Sequence, residues 1–274
     1  MLEQLKYKNH VNEVFEFGKD GIFVNMNDLH DYEWTVTKKG GRIASLDYAI
    51  SKRKLPIVII CETEEQGIQA RNKLLEVVEK DVLAMQHGKI IIGDYYFRCY
   101  VTKSQKKDYL ATKRMMEVTL TLTTDFPYWV KESTYHFKKQ AVGAAGKNLD
   151  FSHDLPYDFS TDVTSSEMNH TGFVGADFRM VIYGPCQNPG LYVNEHLYQV
   201  NCDVDANAYL TIDSSVKKIY LTENDGTITN VFNLRNRDSY VFEKITPGKS
   251  SVAWEDDFKF DISILEERSE PKWT

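Results

Sequence analysis

Seven histidines, four cysteines and two closely spaced acidic pairs are the side chains of this 274-residue chain best suited to chemistry. The histidines are His10, His30, His87, His136, His153, His170 and His196. A transition-metal site needs ligands at short, regular spacings on one turn or loop. No two of these histidines stand at such a spacing, so they read as scattered structural residues. Cys61, Cys99, Cys186 and Cys202 show no metal-ligand or redox spacing either. Cys61 follows Val58-Ile59-Ile60 and Cys99 lies inside an alternating apolar stretch, so both read as reduced, buried, small hydrophobes. Asp203/Asp205 and Asp256/Asp257 bring carboxylates close in sequence. Glycoside hydrolysis needs two carboxyls held across a cleft, and calcium ligation needs a spaced Asp/Asn/Gly loop. Neither pattern is present, and the pairs read as solvated turns. Asn169-His170-Thr171 is a formal glycosylation sequon, meaningful only in a secreted eukaryotic chain. The sequence has no Gly-x-Ser-x-Gly elbow, no phosphate loop and no dinucleotide fingerprint. The expectation is a protein without catalytic, cofactor-binding or metal-binding residues, and not an enzyme.

Composition agrees with a scaffold. Apolar residues are 42% and charged residues 27%, values of a globular protein, and 16 Tyr with 14 Phe lean toward strands. The net charge of −7 is uneven. Residues 1–137 are close to neutral and 138–274 carry the acidic excess, which argues against nucleic acid as a ligand of the second half. Met1-Leu2-Glu3-Gln4-Leu5-Lys6 lacks the apolar core of a signal peptide, and the apolar runs fall far short of a membrane span. The expectation is a soluble chain made in a cytoplasm, with no membrane partner.

The first half reads as strands around one helix. Val14–Phe17, Gly18–Gly21 and Ile22–Val24 read as a hairpin. Tyr32–Thr37 reads as a strand, followed by a basic, glycine-bearing excursion over Lys38–Lys54, too long for a tight turn and expected as a loop or hairpin arm. Without interleaved aromatics it is a weak nucleic-acid signal and a better protein-binding one. Pro56–Cys61 is a continuous apolar strand. Thr63 then starts a helix of about 18 residues through a capping box with Gln66. Ile68, Leu75, Val78 and Val82 are its expected buried face. Tyr95, Phe97, Cys99 and Val101 alternate, as do Met116, Val118, Leu120 and Leu122. Residues 1–137 are therefore expected as a small β-barrel or sandwich with one helix.

Lys138–Lys147, rich in small residues, is the expected linker. Beyond it, strands are expected at Phe178–Tyr183, Leu191–Val193, Leu197–Cys202, Tyr209–Asp213, Val216–Leu221, Thr227–Phe232, Tyr240–Ile245 and Phe258–Leu265. Pro189-Gly190, Asn224-Asp225-Gly226 and Pro247-Gly248 punctuate them. In the last strand Phe258, Phe260, Ile262 and Ile264 share one face, and Pro271 bars its continuation. Short strands so spaced argue a β-sandwich over 148–274.

Several stretches of this half are distinctive in order and spacing. They are Met180-Val-Ile-Tyr-Gly184-Pro185 with Asn188-Pro189, Tyr209-Leu-Thr-Ile-Asp213, Asp225-Gly226 with Asn230-Val-Phe-Asn233, Arg237-Asp-Ser-Tyr240-Val-Phe242, Pro247-Gly248, and Glu267-Arg268-Ser269-Glu270-Pro271-Lys272-Trp273. In this the chain resembles the distal tail protein (Dit) family of long-tailed phages with non-contractile tails. The first half matches more loosely, with Asp125-Phe126-Pro127-Tyr128-Trp129 where its domain ends. The resemblance implies a ring-forming N-terminal β domain, six copies to the ring, and an outer galectin-like β-sandwich. It implies a virion protein of a phage or prophage tail tip or baseplate, assembled in the bacterial host cytoplasm. Its partners would be further copies of itself, the tail tube protein, a tail-tip or tail-associated protein and a receptor-binding protein.

Two function classes follow. One is a structural hub joining the tail tube to the tail tip and host-adhesion device. The other is a carbohydrate-binding or adhesion module, which a sandwich permits. β-Galactosides are not expected as ligands, because residues 148–274 contain no His-x-Asn-x-Arg arrangement on one strand face.

Overall fold

The computed structural model describes residues 4–19, 21–47, 49–107, 114–138, 163–255 and 258–272. The expected linker falls outside the described residues from 139 onward, as do His153, Asp256, Asp257 and Trp273. The protein is mainly β with one α-helix. Internal contacts divide the chain into one unit of Met1–Lys131 with Glu267–Thr274 and another of Glu132–Glu266. The division falls a few residues before the expected end of the first domain at 137.

The first unit contains Leu5–Lys8 (β1), Val14–Glu16 (β2), Ile22–Val24 (β3), Thr35–Lys39 (β4), Arg42–Asp47 (β5), Ser51–Ile60 (β6), Glu64–Ala84 (α1), Gly88–Ile92 (β7), Tyr95–Lys107 (β8) and Met115–Thr124 (β9). Trp129–Phe137 (β10) starts in this unit. All pairings are antiparallel. The order β2-β1-β7-β8-β10 forms one side and β3-β6-β9-β8 the other. β8 serves both: it pairs with β7 up to Cys99 and with β9 from Tyr100, and its register against β9 shifts between Val101 and Lys103. The alternation in β6, β8 and β9 turns Leu55, Ile57, Ile59, Phe97, Cys99, Met116, Val118, Leu120 and Leu122 into one core with Tyr7, Phe15 and Trp129.

The expected 14–24 hairpin is not formed. β2 pairs with β1, whereas β3 pairs with β6. Phe15 and Ile22 are both fully buried, and a turn bonded from the Gly18 N–H to the Ile22 carbonyl sends the two strands to different partners.

Helix α1 starts as the sequence requires. Thr63 Oγ1 accepts from the Gln66 N–H at 3.2 Å, and the Thr63 N–H donates to Gln66 Oε1 at 3.1 Å. Its buried face, however, is Gly67, Ala70, Leu74, Val77, Val78 and Asp81. Of the expected face only Val78 is buried; Ile68, Leu75 and Val82 are 36–39% exposed. Small residues at 67 and 70 fit close against the strands, and a carboxylate at 81 completes the stripe. An apolar count misses both features.

The second unit contains Val163–His170 (β11), Asp177–Tyr183 (β12), Cys186–Gln187 (β13), Gly190–Val193 (β14), His196–Gln199 (β15), Asp203–Val204 (β16), Tyr209–Asp213 (β17), Lys218–Thr222 (β18), Ile228–Asn230 (β19), Gly248–Glu255 (β20) and Lys259–Arg268 (β21), the last ending in the first unit. One sheet runs β19-β18-β17-β12-β21 and continues to the later residues of β10. A second runs β11-β20-β14-β15, and β13 pairs with β16. Both sheets feed one core, so this unit is a β-sandwich. Phe258, Phe260, Ile262 and Ile264 are buried as the alternation demands. Phe260 stacks on Phe137 at 4.7 Å and meets Trp254 edge-on at 5.0 Å. Burying each such side chain contributes about 1.5–3 kcal/mol.

Tyr240–Ile245 is not a strand. Its carbonyls find side-chain donors instead, since His196 Nε2 lies 2.9 Å from the Tyr240 oxygen and Tyr198 Oη donates to the Glu243 oxygen at 2.8 Å. Only at its end does the segment touch a ladder, where Ile245 pairs with Ala176 in an isolated antiparallel bridge. Conversely, β20 occupies the middle of the second sheet, although Lys249-Ser-Ser-Val252 has little strand character by composition.

Candidate assembly surface

The first unit exposes a two-stranded arm. Gly40 and Gly41 join β4 to β5 with φ of +57° and +77°, the left-handed pair that a tight hairpin turn needs and that side chains resist. β4 and β5 pair with each other and, among the described residues, with no other strand. None of their residues is buried. A lone two-stranded ribbon is marginally stable in water, yet this one displays Val36, Ile43 and Leu46, with Ile50 beyond it 70% exposed. Lys38, Lys39 and Arg42 cluster at the tip. The arm is thus basic at its turn and apolar along its stem, and it occupies the earlier part of the expected Lys38–Lys54 excursion. The later part is β6, a core strand, and Arg53 belongs to the interior. Arg53 is buried, its guanidinium sits 4.4 Å from the Phe97 ring centroid, and Nη1 donates to the Leu29 carbonyl. Trp129 Nε1 donates to the same carbonyl at 3.2 Å.

The flank of α1 adds a second exposed apolar surface. Ile68, Leu75 and Val82 recur every seventh residue, and Leu83 beside them is 79% exposed. The helix is held from beneath by Asp81. That carboxylate accepts from Tyr7 Oη at 2.5 Å and from the His10 N–H at 2.8 Å, and it lies 2.6 Å from His10 Nδ1. Gly88 sits where any side chain would strike Asp81 and Tyr7. Burial holds the Tyr7 hydroxyl well above its ordinary pKa and pulls His87 below the usual imidazole value.

The residues singled out for chemistry are dispersed. His10 joins the Asp81 network, His30 stacks with Trp129 at 6.5 Å, and His136 Nδ1 meets Asp261 at 2.7 Å. His170 Nδ1 accepts from the Gly172 N–H while Nε2 faces the Val174 carbonyl at 2.8 Å, so both ring nitrogens pin one loop. Burial pushes the Cys99 thiol up to about 12 and, together with the neighbouring Asp203 charge, Cys202 up to about 11. Neither thiol is suited to nucleophilic work. Among the described residues no three His, Cys, Asp or Glu side chains gather as metal ligands. The sequence reading missed the apolar helix flank and the stem of the arm. A seven-residue apolar spacing at 68, 75 and 82 was the available signal, and it was assigned to the core.

No protein-family model matches the chain, and no curated protein matches it. Solved structures do. A chain of the phage P2 baseplate in its activated conformation with calcium aligns at a TM-score of 0.66 and 12% identity, covering 99% of this chain and 100% of that one. The same baseplate with strontium gives the same values. The phage SPP1 Dit protein, described as a paradigm of the hub adsorption apparatus in phages infecting Gram-positive bacteria, aligns at 0.58 and 10% identity, covering 98% and 100%. Over nearly its whole length, this chain has the fold of phage distal tail and baseplate proteins.

Proposed function

We propose that this chain is a distal tail protein, the structural hub of a long-tailed phage or prophage tail tip. Six copies form a ring through the first unit, and the ring joins the tail tube to the baseplate and host-adhesion device. The second unit lies outward and docks further tail-tip components. The protein works by assembly rather than catalysis. The observation that carries this reading is the alignment of fold from end to end, with the whole of an SPP1 hub protein matched. The basic, apolar-stemmed arm supports it, because a ring requires one surface of each copy to meet a different surface of the next. The arm and the α1 flank are two such surfaces. Its cationic tip steers encounter more than it strengthens the final contact.

The location is tested on virions. Gold-labelled antibody against the chain should decorate the tail tip, between tube and adhesion device. Labelling along the tube, on the head, or only on unassembled host-cell material would contradict the proposal.

A further inference from the structure

The β14 strand puts one aromatic ring on the outer face of the second unit. Leu191 and Val193 point into the core, so strand alternation turns Tyr192 outward, where it is 47% exposed. Its cross-strand neighbours are Leu197 and Ala253. Both are small enough or low enough to leave the ring accessible. A groove of about 290 Å³ opens around it, with Gln199 on one side and Glu255 on the other.

Gln199 is a fixed donor. Its Oε1 accepts from Asn236 Nδ2 at 2.7 Å, which orients the amide and leaves Nε2 for another partner. Gly190 lies directly opposite Gln199 in the ladder, and a side chain there would stand 3.5 Å from that Nε2. Glycine therefore keeps the donor accessible. Glu255 is exposed and, among the described residues, has no ion-pair or hydrogen-bond partner. Gln187 and Asn188 supply further amides at the rim. Among the described residues no Lys, Arg or His lines the groove.

We infer that this groove is a binding site for a neutral saccharide. A flat aromatic face flanked by one oriented donor and one carboxylate acceptor matches a pyranose ring. The ring's axial C–H groups lie on the aromatic face, and its equatorial hydroxyls point sideways to the polar groups. The absence of cations disfavours phosphorylated or acidic ligands. Trp254 also lines the groove, but it is buried with Nε1 donating to the Phe258 carbonyl at 3.2 Å, so its ring is not offered for stacking. The site rests on the reading of the chain as a tail-tip hub only for its biological role; the groove lies wholly within the second unit.

Saturation-transfer NMR on the full chain with cellobiose as the probe provides the test. Cellobiose should receive saturation chiefly on the C–H protons of one ring face. Tyr192→Ala should weaken cellobiose binding at least tenfold and Glu255→Gln about threefold to tenfold. Tyr209→Ala, an exposed tyrosine on the other sheet, should leave binding unchanged. Both tyrosines are surface residues, and an unaltered urea midpoint confirms that each variant is folded. The inference is overturned by no transfer to cellobiose at about 10 mM or by a signal that survives Tyr192→Ala.

Discussion

Arg53 shows how much one residue's setting can change its meaning. In sequence it is the middle of Lys52-Arg53-Lys54, a basic run that looks solvated. In the structure its guanidinium is covered by Phe97 and bonded to Leu29. Charge reversal there attacks the core, not an interface. Asp81 is the mirror case, a carboxylate fully buried under α1 that holds Tyr7 and His10. Asp81→Ala strands the buried Tyr7 hydroxyl and removes the acceptor of the partly buried His10 N–H. We expect a loss of about 2–4 kcal/mol in urea unfolding; a loss below about 0.5 kcal/mol would mean the network is dispensable. Buried ionisable groups also set the alkaline limit. Tyr7, Tyr198 and Cys99 all have their pKa raised by burial. Each binds its proton more tightly folded than unfolded. Their contribution is complete below the ordinary thiol and phenol values of 9.0 and 10.0 and is lost as pH climbs above them. The urea midpoint should therefore fall steadily from pH 9 to 11, and a midpoint flat across that range would refute the assignment.

At the scale of elements, the sequence was legible where one strong local signal decided the outcome. The Thr63–Gln66 capping box fixed the start of α1, and the alternation over 258–264 fixed β21 and its buried face. It misled where tertiary partners decided. The stripe of α1 that packs contains Gly67 and Asp81, so the more apolar line through Ile68, Leu75 and Val82 looked like the core. Tyr240–Ile245 has a strand's composition but satisfies its backbone through His196, Tyr198 and an isolated bridge from Ile245 to Ala176. β20 has a polar start and owes its place to pairing along β11. The proposed site was the least legible part. The arm's basic tip was visible, but its exposed apolar stem and the Tyr192 groove depend on which strands go unpaired and which way a side chain turns. Two outcomes belong here. Lys38→Glu, Lys39→Glu and Arg42→Glu together should slow ring assembly at least tenfold at low salt while leaving the urea midpoint within about 0.5 kcal/mol. An assembly rate indifferent to both the substitutions and ionic strength would show the arm to be merely solvated. Separately, the fragment 132–266 should melt cooperatively. The fragment 148–274 should not, because it lacks Phe137, which stacks on Phe260 at the centre of that core. Cooperative melting of both would place the domain boundary after β10.

For the whole molecule, two β units with separate cores divide the labour. In our account the first builds the ring, and the second presents sheets and loops to whatever lies beyond it. Nothing in that division requires a catalytic centre. The central claim is a closed assembly of fixed number, and the most direct measurement is the mass and symmetry of the purified particle. Light scattering combined with negative-stain microscopy should give about six times the 31.7 kDa chain mass and a sixfold ring. A strict monomer at high concentration, still monomeric when mixed with tail tube protein, would contradict the account.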